Sequence, residues 1–186
     1  MTDHPYPLPV DLPVPQDDGA AAHLPGTELP NLSLSATDGT SVSLHDLRGR
    51  WVIYIYPKTG RPGHALPAGW DEIPGARGCT PQSCSFSDHF QELQTLQTQI
   101  FGLSSQTTDY QKEAHDRLHL PFELLSDSSL LLKQDLELPT FTAESEELYR
   151  RLTLVGRDRR IEHVFYPVFP PDRSADEVLV WLRQNP

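Results

Sequence analysis

The clearest pattern in the chain is a set of short apolar blocks whose period indicates strands. Apolar and polar residues alternate in LSLSATDGTSVSL (32–44), on both sides of Asp38-Gly39, a dipeptide typical of a tight β-hairpin. A continuous apolar run, rich in β-branched and aromatic residues, follows in WVIYIYP (51–57) and predicts a strand buried on both faces. A further apolar block, IFGLSS (100–105), predicts a strand beside it.

Helical periods lie between and after these strands. A helix is predicted to begin near Thr80-Pro81, because proline suits the first helical turn. Its predicted apolar stripe consists of Phe86, Phe90, Leu93 and Leu96. The rest of the chain predicts helices over 107–120, 126–138 and 174–186, and strands over 122–127 and on either side of Gly156-Arg157-Asp158. Ser174 is the predicted cap of the last helix, whose first turn is acidic.

The order of these elements predicts the fold class. A hairpin, then strands alternating with helices, then a second hairpin and a helix indicate a three-layer α/β domain with a central mixed sheet. We assign this domain to residues 26–186. Residues 1–25 are rich in proline and carry the polar run QDDGAAA, so we expect an extended arm that buries little.

Charge and targeting signals narrow the classes of function. A formal net charge of −11 and a pI near 5.0 disfavour binding to nucleic acid or to an anionic membrane, since both require basic patches. No apolar run is long enough to span a bilayer, and residues 1–19 lack the basic start of a secretory signal. We therefore expect a cytoplasmic protein, in which two cysteines are more often free or catalytic than a structural disulfide.

The two cysteines of the chain, Cys79 and Cys84, are separated by four residues rather than by the two of a thioredoxin-type motif. Cys79 follows a glycine-containing loop at the predicted start of a helix. A thiolate there faces unpaired backbone N–H groups and the positive end of the helix dipole, which favour the ionised, nucleophilic form. The alternative is that both cysteines simply pack as small hydrophobic residues.

The spacing also limits how a disulfide between the two cysteines could form. On an intact helix the two Cα atoms would lie about 8.6 Å apart, from the ideal rise, rotation and radius of the α-helix. A disulfide requires less than about 7 Å. A bond between Cys79 and Cys84 therefore requires the first helical turn to unwind, which fits oxidation of Cys79 followed by local unfolding.

Four segments carry a resemblance to a known family. They are YIYPK (54–58), GCTPQSCSFSDHF (78–90), IFGLSSQTTDYQKEAHDRLHLPFELLSD (100–127) and RLTLVGRDRRIEHVF (151–165). In this order and spacing, the sequence from Leu29 to Asn185 resembles the peroxiredoxins, in particular the bacterioferritin-comigratory-protein or Q-type subgroup. The resemblance implies a thioredoxin-like fold and a thiol-dependent peroxidase that needs no metal or organic cofactor.

The resemblance also implies roles for individual residues. Cys79 would be the peroxidatic cysteine that attacks the peroxide, and Cys84 the resolving cysteine of the same chain. Arg151 would hold Cys79 as thiolate and polarise the peroxide oxygen; Arg150 is the alternative, although strand parity favours Arg151. Pro57 would shield the pocket.

One departure from the family concerns the loop before Cys79. The family pattern is Pro-x-x-x-Thr-x-x-Cys, but Cys79 follows Pro57 by 22 positions instead of seven, an insertion of 15 residues that we place at about 60–76. Ala76 stands where the threonine is expected. The candidate substrate-positioning residues are therefore Thr59, Thr80 and Gly78. Trp70 either anchors the insertion over the pocket as a lid or belongs to a surface loop without function.

The expected partners follow from this interpretation. They are a peroxide, hydrogen peroxide or an organic hydroperoxide, and a thioredoxin or glutaredoxin-like reductant, and we expect a monomer. The alternative function is a non-catalytic redox sensor or partner-binding module that uses the same disulfide as a switch. His115 and His119 have a zinc-compatible spacing but fit a solvated helix surface better. Three glutamates are predicted to form an exposed acidic turn: Glu144, Glu146 and Glu147.

Overall fold

The computed structural model describes residues 6–186. Its strands are β1 Ser33–Ala36, β2 Ser41–Ser43, β3 Arg50–Ile55, β4 Thr98–Ser104, β5 Leu124–Ser126, β6 Thr140–Ala143, β7 Glu146–Tyr149, β8 Leu152–Arg157 and β9 Arg160–Phe165. Its α-helices are α1 Cys79–Asp88, α2 Phe90–Thr95, α3 Thr108–Leu118, α4 Leu131–Leu136 and α5 Ser174–Gln184. Short 3-10 turns are Leu44–Asp46, Trp70–Glu72 and Pro171–Arg173.

Within residues 6–186, the central sheet has seven strands in the order β2-β1-β5-β4-β3-β8-β9. The three inner strands β5, β4 and β3 are parallel, whereas the β1–β2 hairpin and the β8–β9 hairpin join antiparallel at the two edges. The predicted mixed sheet with an N-terminal β-hairpin is therefore confirmed. The predicted buried strand is also confirmed, because every residue of β3 is buried.

The two faces of β3 belong to two separate hydrophobic clusters. Side chains alternate along a strand, so successive β3 residues point to opposite layers. Val52 and Tyr54 lie in the cluster that includes Phe86 of α1 and Val178 of α5. The opposite cluster contains residues of β3, of the hairpin and of α4, among them Trp51, Ile53, Leu34 and Leu132. The sheet is thus the middle of three layers.

Of the predicted features at helix ends, one is present in the structure and one is wrong. The helix predicted over 107–120 is present as α3, and the Thr107 side chain caps it by accepting from the Tyr110 N–H at 3.4 Å. The predicted Ser174 cap is wrong, because Ser174 is the first residue of α5 and follows a 3-10 turn. Its hydroxyl is turned inward and accepts from Gln82, so it is not available to cap the helix.

The glutamates predicted to form an exposed acidic turn are exposed, and Glu144 lies in the turn of a hairpin that was not predicted, formed by β6 and β7. Its glutamates have partners outside the hairpin: Glu146 pairs with Lys58, Glu147 with Lys133 at 3.0 Å, and Glu144 accepts from the backbone N–H of Ala68 at 3.1 Å. The sequence analysis did not predict this hairpin, and the partners of its glutamates in the insertion, after β3 and in α4 lie outside its own two strands.

The insertion packs onto this hairpin. Trp70 is 4% exposed and lies in a small hydrophobic cluster with Ala76, Ala143 and Leu148. The ring of Trp70 is 6.1 Å from that of Phe141. The insertion therefore has a hydrophobic core of its own, formed together with β6 and β7.

The proline-rich arm differs from the prediction that it buries little. From residue 6 to 25 it forms no helix or strand, but Ala21 and Leu24 are buried in the main hydrophobic cluster. The backbone just after it is fixed by the Gly26 N–H, which donates to the Ile161 carbonyl at 2.8 Å. The folded part thus includes the end of the predicted arm; residues 1–5 lie outside the described residues.

No helix within residues 6–186 has both the length and the apolar character that a membrane crossing requires.

Candidate functional site

The candidate site lies where three elements meet at one end of the sheet. Strand β3 ends at Ile55, and α1 begins at Cys79 after the insertion. Strand β8 runs antiparallel to β3, with Leu152 opposite Ile55. Arg151 precedes Leu152, so the register places it at the same end of the sheet as the start of α1.

Cys79 is a free, buried thiol, 3% exposed, at the first position of α1. The predicted position of Cys79 at a helix start is confirmed. Its sulfur lies 3.2 Å from Nη2 of Arg151 and 3.7 Å from the carbonyl oxygen of Ala76. A thiolate here would receive a charge-assisted hydrogen bond together with the field of the first helical turn.

The Arg151 guanidinium is held by the end of the insertion. Its Nε donates to the Gly75 carbonyl at 3.2 Å, and its Nη2 donates to the carbonyls of Ala76 at 3.0 Å and Arg77 at 3.2 Å. Arg151 is 3% exposed. Among the described residues that accept from it, the sulfur of Cys79 is the group able to become an anion, and a buried cation is stabilised by such a partner.

Gln82 holds the other side of the guanidinium. Its Oε1 accepts from Nη1 of Arg151, while its Nε2 donates to the Ser174 hydroxyl at 3.2 Å. Ser174 lies 3.5 Å from the Thr153 hydroxyl. Because Gln82 is fully buried, this chain of hydrogen bonds fixes the orientation of Arg151 between α1, α5 and β8.

Gly78 allows the close packing next to Cys79. Its φ of 107° lies in the left-handed region that favours glycine. A Cβ at this position would lie 2.3 Å from Cγ of Pro171 and 3.0 Å from Cδ2 of Leu8. A side chain at position 78 would therefore displace the turn that presents Cys79.

A cavity of about 320 Å³ opens beside Cys79. Gly78, Thr80 and Pro81 line it from the start of α1. Its other walls come from the arm, from the end of β3 and from the insertion, and consist of Tyr6, Pro7, Leu8, Lys58, Gly60, Leu66, Trp70 and Arg77. The arm and the insertion thus form a roof over the thiol, which we define as Tyr6–Leu8 together with Leu66 and Trp70.

The remaining candidate residues are placed as follows. Thr80 and Gly78 line the cavity, but in the described part of the chain neither Pro57 nor Thr59 does so. Thr59 is buried, and its hydroxyl donates to Oε1 of Gln106 at 3.1 Å. Pro57 is buried, and the insertion separates it in sequence from Cys79.

Cys84 is also a free thiol, and it lies half-buried on the same intact helix. Burial, and after it the negative charge of Asp88, raise the pKa of Cys84 to about 11, although the positive charge of Arg117 acts in the opposite direction. At neutral pH this thiol is protonated and a poor nucleophile as long as α1 stays folded.

The arrangement suits a reaction at sulfur. It combines a buried thiol, a fixed cation and a cavity, which together favour nucleophilic attack and stabilise negative charge on a leaving oxygen. Within residues 6–186, no group of three or more His, Cys, Asp and Glu side chains has a geometry that would hold a metal ion.

Sequence reasoning missed two parts of the site. Gln82 stands three positions after Cys79, so helical spacing places the two on one face, and this signal was available. The contribution of Leu8 to the roof had no local signal, because its contact with Gly78 joins segments 70 residues apart.

Comparison with known proteins finds a family model and relatives that agree with one another. The model of the Redoxin family matches residues 24–179. The chain is 28% identical to Peroxiredoxin Bcp of Escherichia coli over 86% of this chain and 96% of that protein. It is 27% identical to the chloroplastic Peroxiredoxin Q of Oryza sativa over 85% of this chain, but spans only 66% of the length of that relative.

The fold has solved counterparts. The structure of the bacterioferritin comigratory protein of Xanthomonas campestris is similar with a TM-score of 0.65 and 19% identity, covering 94% of this chain and 99% of that chain. The predicted thioredoxin-like fold and the resemblance to peroxiredoxins are both confirmed. Since the family model matches most of its length, this chain belongs to the redoxin family, and its relatives there are peroxiredoxins of the Q/Bcp type.

Proposed function

We propose that this protein is a thiol-dependent peroxidase that reduces hydrogen peroxide and organic hydroperoxides. The observation that carries the proposal is the contact of 3.2 Å between Arg151 Nη2 and Cys79 Sγ, beside a cavity open to a small substrate. The relatives named peroxiredoxin support it, as does the alkyl peroxide reduction activity attributed to the Xanthomonas protein.

In the first step, the Cys79 thiolate attacks the terminal oxygen of the peroxide. An S–O bond forms, the O–O bond breaks, and the leaving oxygen takes up a proton and departs as water or alcohol. Arg151 stabilises the thiolate before the attack and the negative charge on the leaving oxygen during it. Cys79 is left as a sulfenic acid.

In the second step, Cys84 attacks the sulfur of the sulfenic acid, a disulfide forms, and the hydroxyl group leaves as water. The intact α1 helix holds the two cysteines too far apart for this bond, so the first turn must open. Opening also brings Cys84 into water, where its pKa returns toward the ordinary value and more thiolate is available.

A dithiol of the thioredoxin or glutaredoxin type then reduces the disulfide and restores both thiols. Every group named in these steps belongs to one chain, so we propose that the protein works as a monomer. The cytoplasmic location expected from the sequence stays a prediction.

The test uses single-turnover kinetics with hydrogen peroxide on the wild type, Cys79→Ser and Cys84→Ser. We expect rapid loss of the Cys79 thiol in the wild type, no comparable reaction in Cys79→Ser, and a trapped sulfenic acid in Cys84→Ser, each followed by intact mass. If Cys79 reacts no faster than free cysteine, the peroxidase proposal is lost.

A redox sensor is the second candidate, favoured by the roof that partly covers the site. The two functions differ in turnover: a peroxidase consumes many equivalents of peroxide when thioredoxin and its reductant are supplied. A sensor would form the disulfide once and show no sustained consumption.

A further inference from the structure

The paired strands β3 and β8 carry arginines at both ends. Arg151 lies at the end where Cys79 begins α1, whereas Arg50 and Arg157 lie at the other end, about 20 Å away at ~3.3 Å per strand residue. Arg50 is directly opposite Arg157 in the antiparallel register, so both side chains point to the same face of the sheet. Like charges in such a position destabilise a strand pair. The proposed reaction at Cys79 uses neither of these two cations.

Arg50 is a buried cation with no carboxylate partner in the part of the chain that the structure describes. It is 7% exposed, and its guanidinium donates to the carbonyls of Leu182, at 3.4 Å, and Asn185, at the end of α5. Its Nε is buried and has no acceptor among the described residues. Burial, and after it the positive charge of Arg157, lower the pKa of Arg50, although the charge of Glu162 opposes them. A buried charge is costly unless it is paired, so an anion here would stabilise the protein.

A cavity of about 420 Å³ opens beside these arginines. Arg50, Arg157 and Arg183 all line it, and the described residues of its wall include no Asp or Glu. Two of the three have carboxylate partners outside this wall, because Glu162 accepts from Arg157 at 3.4 Å and Glu92 pairs with Arg183. A guanidinium has five N–H donors, so these contacts leave donors for a ligand. In a chain with a net charge of −11, three arginines thus converge on one cavity.

The wall of this cavity suits a phosphate group that carries an organic substituent. A phosphate ester has up to two negative charges and three terminal oxygens, and guanidinium groups match it with paired hydrogen bonds. The volume exceeds what the five heavy atoms of phosphate fill, since a water molecule takes a share of only about 30 Å³ in the liquid. The remaining space borders Leu96 and Leu182, which offer apolar contacts to an organic group.

We propose that Arg50, Arg157 and Arg183 bind the phosphate group of a small organic phosphate, in a second site at the end of the sheet opposite Cys79. This inference goes beyond the peroxidase function and does not depend on it. Arg50 and Arg157 hold the phosphate from the sheet, and Arg183 holds it from α5. The organic group lies against Leu96 and Leu182, and binding involves no covalent step.

The test is isothermal titration calorimetry of the full chain with phenyl phosphate, and with benzoate at the same ionic strength as the carboxylate probe. We expect one binding site for phenyl phosphate and at least about tenfold weaker binding of benzoate. In Arg157→Gln, the affinity for phenyl phosphate should fall about tenfold or more, as for loss of a hydrogen-bonded charge. Arg50 also bonds the end of α5, so Arg50→Lys is used there; it keeps the charge, loses the planar fork and should also weaken binding.

The matched control is Arg159→Gln. It removes the same charge from the same β8–β9 hairpin, but Arg159 is not among the described residues that line the cavity. The affinity for phenyl phosphate should change less than about twofold. Thermal unfolding without ligand checks that each variant is folded.

Three results would each overturn the inference: no binding of phenyl phosphate, equal affinity for benzoate, or equal losses in Arg157→Gln and Arg159→Gln, which would indicate diffuse attraction. Binding that survives Arg157→Gln and slows the oxidation of Cys79 would also overturn it. That result would place the phosphate in the cavity beside Cys79, which Lys58 and Arg77 line. The peroxidase proposal is judged separately, by the reaction of the wild type with hydrogen peroxide.

Discussion

The two cysteines stand five positions apart on one helix, yet their surroundings differ in most physical respects. Cys79 is almost fully buried at the helix start, with a guanidinium 3.2 Å from its sulfur. Cys84 is half-buried farther along the helix, where burial and the charge of Asp88 raise its pKa to about 11.

This difference teaches that position in the fold, rather than residue type, distinguishes the two thiols. In the proposed mechanism, the first thiol attacks while the helix is closed, and the second gains reactivity only when the helix opens. Gln82 lies between them and bonds Arg151, so opening the turn also removes a contact that orients the guanidinium. In the proposed mechanism, attack and resolution thus require different states of the same turn.

The largest expected effect comes from removing the cation that distinguishes Cys79. In Arg151→Met we expect the rate constant of Cys79 oxidation by hydrogen peroxide to fall about 100-fold or more, as for loss of a group that stabilises a leaving oxygen. Stopped-flow kinetics measures it. Arg150→Met is the matched control, because Arg151 rather than Arg150 contacts the sulfur. Equal losses in both variants would contradict the assignment.

The second prediction concerns the pH dependence of disulfide formation. Folding raises the pKa of Cys84 from 9.0 to about 11, so the stability that the protonated thiol gives to the closed helix is complete below pH 9 and is lost as the pH rises toward 11. Below pH 9, the thiolate fraction of the open form rises about tenfold per pH unit. The rate of resolution should therefore keep rising between pH 9 and 10.

Decay of the sulfenic acid after a single equivalent of peroxide measures this rate. In Cys84→Ser, resolution by an added small thiol with a pKa near 9 serves as the control and should level off near pH 9. If wild-type resolution levels off at the same pH, Cys84 is already exposed to water and the contrast between the two cysteines disappears.

A smaller effect is expected at Gln82. Gln82→Ala removes one acceptor from Arg151, while the carbonyls of Gly75, Ala76 and Arg77 remain, so we expect about a fivefold to tenfold slower oxidation of Cys79. Gln82→Glu keeps an acceptor and should recover most of the rate. A loss in Gln82→Ala that is accompanied by a large drop in thermal stability would instead indicate a structural role.

The smallest effect is expected from the charge that adds to the raised pKa of Cys84. Asp88→Asn removes that charge, while burial remains the main cause. Because resolution proceeds from the open form, in which the pKa of Cys84 has returned toward its ordinary value, we expect the rate at neutral pH to change less than about twofold. The lower pKa of Cys84 in the closed helix should instead make the resolution rate level off at a lower pH than in the wild type, above pH 9. Oxidation of Cys79 should be unchanged. A resolution rate that levels off at the same pH as in the wild type would contradict the contribution of Asp88 to the raised pKa.

The sequence predicted those parts of the fold whose signals are local. The Asp38-Gly39 hairpin, the buried strand β3 and the helix start at Cys79 each follow from residues within a few positions. The β6–β7 hairpin was not predicted. Its residues Glu146 and Glu147 pair with Lys58 and Lys133, and the local sequence pattern does not indicate such contacts.

In the candidate site, too, some residues were predicted from the sequence and others were found only in the structure. The position of Cys79 at a helix start was predicted from the sequence, and Arg151 was proposed from the resemblance and strand parity. The structure brings these two residues together. The sequence did not identify the partners of Arg151 in the insertion, since Gly75 and Ala76 reach the guanidinium only after a long loop has folded back.

By itself, then, the sequence determined the fold class, the position of Cys79 at a helix start and the condition that a bond between Cys79 and Cys84 would require the helix to open. These follow from hydrophobic period and helix geometry, which act over short distances. Only the tertiary structure decided what covers Cys79. The arm and the insertion carry no pattern that points to the thiol, and they meet above it because burial of Leu24 and Trp70 in separate clusters fixes where each segment runs.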